Sequence, residues 1–121
     1  MELKNSIITN YIQMENIKTI EINKLLVMFI IAMGEWNGVQ WEYFPKLPSC
    51  FVENLNIKPL ECKADFLRLT VNDLCDVECW FIDKDEQIFC MPLRDMIKYA
   101  PLLYTSIVTH VFDMIENVKE C

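Results

Sequence analysis

The sequence predicts an α+β fold: N-terminal helices that include a buried central helix, a three-stranded antiparallel meander, and a C-terminal helix packed on one face of the sheet. Three stretches carry that prediction. Leu25 to Met33 is an unbroken apolar run. Between Phe66 and Met91 the apolar residues alternate, at the period of a strand. From Tyr104 to Val118 they recur every third or fourth position, at the period of a helix.

The central run decides the architecture. A segment apolar on every side belongs in the interior of a domain. It falls well short of the roughly 20 residues a bilayer span needs, so no membrane partner is expected. Thr19 can cap this element through its hydroxyl, and Glu21 suits the first turn of a helix. Gly34 is expected to end it in a left-handed conformation. Val27, Ile30 and Ile31 are β-branched and would also suit a central strand. The length of 19–33 and the lack of alternation decide for a helix.

Ahead of it, Leu3, Ile7, Ile8, Tyr11 and Ile12 form one apolar stripe, with Lys4, Asn5, Asn10 and Gln13 opposite. That predicts a helix over 2–13 packed on the domain, since it lacks the basic face that anionic lipid attracts. After the central run, Asn37-Gly38 signals a tight turn. Val39, Trp41 and Tyr43 then alternate with polar neighbours as a half-buried strand, stopped by Pro45 and Pro48. The aromatic residues here are either the lid of a core or a binding surface. Residues 45–64 show no clear period; Phe51, Val52, Leu55 and Ile57 suit a short helix or turn before Pro59. No repeat or linker divides 1–121, which reads as a single domain.

In the meander, Leu67, Leu69 and Val71 are expected on one face and Phe66, Arg68 and Thr70 on the other. Asn72-Asp73 turns the chain. Val77, Cys79 and Phe81 then oppose Glu78, Trp80 and Ile82. Strands are predicted near 66–71, 76–82 and 87–91. Pro92 opens a short helix over Leu93 to Tyr99. The final helix is predicted over 102–118, with Tyr104, Ile107, Val108, Val111, Phe112, Ile115 and Val118 as its stripe and Lys119 near its end. The expected core is Leu26, Phe29, Ile30, Leu69, Phe81, Phe89, Ile107, Val111 and Ile115.

Composition narrows the chemistry. The chain has 121 residues, of which 53% are hydrophobic, enough for a packed interior. Gly34 and Gly38 are its two glycines, so glycine-rich phosphate loops cannot be written with it. A net charge of −7 repels phosphate backbones and favours basic proteins as partners; direct nucleic-acid binding is not expected. The six cysteines are Cys50, Cys62, Cys75, Cys79, Cys90 and Cys121. The chain is large enough to fold without staples, and Met1 to Ser6 shows no secretory pattern. Reduced, mostly buried thiols and a cytoplasmic location are therefore expected. Cys75, Cys79, Cys90 and His110 could supply four soft ligands, but zinc sites use tighter pairs. No metal, cofactor or catalytic residue is expected. His110, the lone histidine, would need a cysteine in contact to act as a base.

The charge layout is the most informative feature. Asp73, Asp76, Glu78, Asp83, Asp85 and Glu86 stand against Lys84 alone between positions 73 and 86, a net −5 of the chain's −7. Such crowding either solvates and guards a sheet edge or forms a docking patch. Trp36 and Trp41 are candidate apolar anchors beside it. These observations point to a non-enzymatic, acidic protein-binding inhibitor of a basic toxin or nuclease-like protein. An immunity protein within a toxin–antitoxin pair and a phage anti-defence protein both fit. The alternatives are a small metal-binding or cysteine-dependent enzyme, and a structural subunit that oligomerises through its aromatic stretch.

Overall fold

Short turns join most of the strands, and their chemistry sets the topology. A computed structural model of the protein describes residues 19–47, 56–57 and 62–120, with side chains described to 117. Helix α1 covers 19–33. It is followed by β1 (Glu35–Trp36), β2 (Trp41–Tyr43), β3 (Asn56–Ile57), β4 (Cys62–Val71), β5 (Val77–Asp83), β6 (Ile88–Pro92), α2 (Leu93–Tyr99) and α3 (Pro101–Glu120). The class is α+β, as predicted. The sheet has six strands rather than three, all antiparallel, in the order β1-β2-β4-β5-β6. Strand β5 takes one edge of β4 and β2 the other, while β3 pairs with the start of β4 at Cys62 and Lys63. Strands β1 and β3 are two residues each, too short to show a period in sequence. Ile57 in β3 is nonetheless fully buried, which corrects the helix-or-turn expectation for that residue. The predicted helix over 2–13, Phe51 to Leu55, Cys50 and Cys121 lie outside the described residues.

The inner face of the sheet is built in rows. Tyr43, Leu69, Cys79 and Met91 align across four strands, and Phe66, Phe81 and Phe89 across three. Phe81 meets Phe66 edge-on at 5.9 Å and stacks on Phe89 at 5.4 Å. Leu26, Phe29 and Ile30 of α1 and Leu103, Ile107 and Val111 of α3 cover these rows. Each fully buried side chain of this size contributes about 1.5–3 kcal/mol. Of the expected core, Phe89 and Ile115 are half-buried and the rest are buried.

Two expectations for α1 are corrected. The helix is not central: Ile20, Met28, Ile31 and Met33 are exposed. The described residues form one sheet with one layer of helices, so α1 buries a single face against it, and its all-apolar run leaves apolar side chains outward. Gly34 does not end α1 in the left-handed region, which among the glycines belongs to Gly38 at φ 98°. Its amide still donates to the Ile30 carbonyl at 2.8 Å. Glycine is required there by close approach, because a Cβ would collide with the carbonyl oxygens of Glu42 and Ile30.

The facing of β4 is also corrected. A bulge between Phe66 and Arg68 inserts Leu67 as an extra residue. It switches the inward set from Ala64 and Phe66 to Leu69 and Val71, so Phe66 joins the core instead of the outer face. In α3 the buried stripe runs through Leu103, Ile107 and Val111, and Phe112 is exposed.

Candidate protein-docking surface

The acidic residues sit in and around two hairpin loops of one design. In the first, Asn72 Oδ1 accepts the amides of Leu74 and Asp76, at 2.9 and 3.0 Å. The Cys75 amide donates to the Asn72 carbonyl and the Asn72 amide to the Asp76 carbonyl, both at 3.0 Å. In the second, Asp83 Oδ1 accepts the amides of Asp85 and Gln87, each at 2.9 Å. The Glu86 amide donates to the Asp83 carbonyl at 3.1 Å and the Asp83 amide to the Gln87 carbonyl at 3.0 Å. The third residue of each loop is left-handed: Cys75 at φ 59° and Glu86 at φ 62°. This is a three-residue hairpin loop closed by a left-handed residue, with an Asx side chain holding its start.

The loops stand at opposite ends of β5, whose seven residues separate them by about 20 Å. The six acids therefore form two groups. Asp73, Asp76 and Glu78 lie at the start of β5, and Asp83, Asp85 and Glu86 at its end. Asp76 is paired with Arg94 at 3.5 Å, and Glu78 accepts the Cys90 thiol at 3.0 Å. Asp73, Asp85 and Glu86 are exposed.

The two tryptophans fall with the first group. Trp41 pairs with Val71 and Val71 with Val77, which places the 37–40 turn and the 72–76 loop side by side. Asn37 shapes that turn by accepting the amides of Val39 and Gln40 at 2.9 Å each. Trp36 and Trp41 meet edge-on at 5.8 Å. Trp41 is half-buried, while Trp36 is 56% exposed. Leu74 and Val39 project from the two turn tips, 81% and 76% exposed. Asn23 of α1 secures this end: its Nδ2 donates to the Cys75 carbonyl at 3.2 Å and its Oδ1 accepts the Val77 amide at 3.1 Å.

Next to these anchors lies the outer face of the sheet, which no described helix covers. Arg68 and Trp80, opposite one another on β4 and β5, occupy its middle. The Arg68 guanidinium lies over the Trp80 ring at 5.4 Å. The Trp80 indole donates to the buried Thr70 hydroxyl at 2.7 Å. Arg68 Nε lies 3.4 Å from Glu42 Oε2, an ion pair without hydrogen-bond geometry, and Asn37 Nδ2 donates to the same oxygen at 3.2 Å. Sequence reasoning missed Arg68 and Trp80 as surface anchors. Their positions in alternating strands were visible, but their pairing depends on the bulge at Leu67.

The residues considered for metal or covalent chemistry are dispersed. Cys79 faces the core and Cys90 the outer face, Cys75 is in the first loop, and His110 is on α3. Among the described residues no three His, Cys, Asp or Glu side chains are grouped to hold a metal ion. Cys62, Cys75, Cys79 and Cys90 are free thiols. Burial raises the Cys79 pKa far above the usual thiol range, aided by Cys90 and Glu78. Burial, then the hydrogen bond and charge of Glu78, push Cys90 up to about 11. Neither is a thiolate at neutral pH, the form a nucleophile or metal ligand requires. His110 Nε2 and the Tyr43 hydroxyl are hydrogen-bonded at 2.8 Å. Burial lowers the histidine pKa, and Asp113 acts against that shift. His110 also lines an open cleft with Lys46, Thr105, Ser106, Thr109 and Asp113. Among the described residues no helix is long and apolar enough to cross a membrane. No protein-family model, no curated protein and no solved structure matches the chain.

Proposed function

We propose that this protein is a small acidic inhibitor that docks a basic protein through the end of the sheet formed by the 37–40 turn and the 72–76 loop. An immunity protein against a nuclease toxin and a phage anti-defence protein are the roles that suit it. The observation that carries the reading is Trp36: a large aromatic side chain left more than half exposed, at the same end of the sheet as protruding Val39 and Leu74 and the exposed Asp73. Aromatic anchors surrounded by charge are the anatomy of a protein interface. The net charge of −7 supplies attraction for a cationic surface and a fast encounter. The raised thiol pKa values of Cys79 and Cys90 remove support from a cysteine-dependent enzyme. Oligomerisation through the whole aromatic stretch loses support as well, because Tyr43 is taken up by Phe29 and His110.

The test is capture of partners from the native host with the wild-type chain, followed by binding kinetics across a range of salt. The expected partner is basic, and Asp73→Lys should slow association and flatten its salt dependence. Trp36→Ala should speed dissociation, a loss of about 2 kcal/mol or more for a central aromatic anchor. Asp83→Ala/Asp85→Ala/Glu86→Ala should change the association rate less. If the triple variant alone abolishes steering, the docking end is the other one. A captured partner indifferent to all these changes would sink the proposal.

A further inference from the structure

Strand β6 ends the sheet: among the described residues its far side pairs with no other strand. The backbone groups on that side follow from the hairpin before it. The Gln87 carbonyl accepts the Asp83 amide of β5. Successive residues of a strand turn their N–H and C=O to opposite sides. Gln87, Phe89 and Met91 therefore face β5, while Ile88, Cys90 and Pro92 turn outward. An outward position on an edge strand is where proline removes no ladder bond. The edge lacks the features that keep strands apart. No charged residue occurs from Gln87 to Leu93. Its pairing with β5 runs without a bulge from Ile82–Ile88 to Glu78–Pro92. Ile88 is 57% exposed, and Cys90 is exposed.

We propose that β6 pairs antiparallel with β6 of a second copy, so that two chains share one continuous sheet about a two-fold axis. An uncharged row of alternating donors and acceptors is complementary to itself when turned antiparallel. With Ile88 opposite Cys90 of the other copy, every outward N–H and C=O of these two residues finds a partner. Phe89 then meets its own counterpart across the axis on the inner face, and Ile88 and Cys90 are neighbours on the outer face. The same register sets Pro92 opposite Glu86 of the other copy. It brings the exposed Arg94, two residues further on, to the end that carries the exposed Asp85 and Glu86. Opposite charges thus meet at both ends of the contact, and the strands between them add no charge. At the other end of the sheet β1 has two residues, too few for a comparable ladder, so the contact closes as a dimer and does not propagate. The inference does not rest on the docking end at the 37–40 turn and the 72–76 loop.

The test uses the full chain under reducing conditions, where an intermolecular disulfide cannot imitate the contact. Sedimentation velocity should show the mass doubling as concentration rises from micromolar to millimolar. Amide exchange should slow at Ile88 and Cys90 as the dimer forms, and stay unchanged at Phe89 and Met91, whose amides already bond to β5. Cys90→Pro deletes an outward donor and spares the bonds to β5, as Pro92 does, and should leave a folded monomer. Ile88→Lys puts a charge on the edge and should also give a monomer, which keeps the test decisive should the proline variant fail to fold. Met28→Lys, at an exposed position of α1, should leave the dimer intact. A folded wild-type chain that stays monomeric throughout, or a dimer whose Ile88 and Cys90 amides exchange as in the monomer, overturns the proposal. A dimer lost in Met28→Lys and kept in Ile88→Lys overturns it too, and assigns the contact to the helix face.

Discussion

Strand β5 begins and ends in the same turn, yet its two ends differ in what holds them. At the 72–76 loop the turn is tied to α1 through Asn23 and to α2 through the Asp76–Arg94 pair, and the 37–40 turn stands beside it. At the 83–87 loop Asp83 holds its own turn, with Lys84, Asp85, Glu86 and Gln87 exposed. Local sequence therefore specifies the loop conformation in both places, and tertiary contact decides which loop becomes a rigid part of the surface. A rigid loop loses little entropy on binding, which is the physical reason to assign docking to the buttressed end. The free loop keeps the exposed end of a hairpin soluble.

The largest break in this comparison should come at Gly34, where the end of α1 meets β2. Gly34→Ala puts a methyl group against the Glu42 and Ile30 carbonyl oxygens, both backbone. Overpacking of this kind costs about 1–3 kcal/mol, and two backbone contacts place it at the upper end. Urea unfolding measures it. A loss under about 0.5 kcal/mol, the usual size for an unremarkable surface substitution, would mean that β2 is not pressed against the helix end.

Asn23→Ala comes next. It removes both hydrogen bonds that tie α1 to the first loop and leaves the part-buried Val77 amide without that acceptor. At about 0.5–1.5 kcal/mol per bond, the expected loss is about 2 kcal/mol. Amide exchange should rise at Cys75 to Val77 and stay unchanged at Asp85 to Gln87. Equal acceleration at both loops would contradict the distinction between a held end and a free one.

Much of this architecture is legible in the residues, and the exceptions have physical causes. An unbroken apolar run located α1, and periodicity located the β4, β5 and β6 segments and α3, because each is long enough to repeat its pattern. Leu93 to Tyr99 was readable from its flanking prolines. The turn at Asn37-Gly38 was readable from its backbone chemistry. Strands β1 and β3 were not, since two residues carry no period. The facing of Phe66 was hidden because a bulge shifts phase without a composition signal. The apolar run of α1 suggested burial on all sides, but sequence does not count the layers available to cover it. The acids were visible as a cluster along the chain. Their division into two groups follows from the length of β5, which turns sequence neighbours into opposite ends.

The caps should behave alike at the two ends. Asn72→Ala and Asp83→Ala each remove one side-chain oxygen that accepts two backbone amides. Each should cost about 1 kcal/mol in unfolding experiments, because the freed amides turn to water. Asn72→Ala should also weaken partner binding, whereas Asp83→Ala should leave it nearly unchanged. The reverse pattern would move the docking end to the second loop.

The smallest effect is a gain. Cys75 and Glu86 occupy the left-handed region at φ 59° and 62°, where a side chain costs about 1–2 kcal/mol. Glycine avoids that cost but loses more backbone freedom on folding, by roughly 0.5–1 kcal/mol. Cys75→Gly and Glu86→Gly should each stabilise the fold by about 0.5–1 kcal/mol, read as a higher urea midpoint with an unchanged slope. The gains should add, because the loops are about 20 Å apart and share no partner. They should also be similar, since the backbone of the two loops is the same and both side chains point into solvent. A gain at Glu86 with a loss at Cys75 would show that the Cys75 side chain makes a contact at the held end, and the two turns would then differ in more than their anchoring.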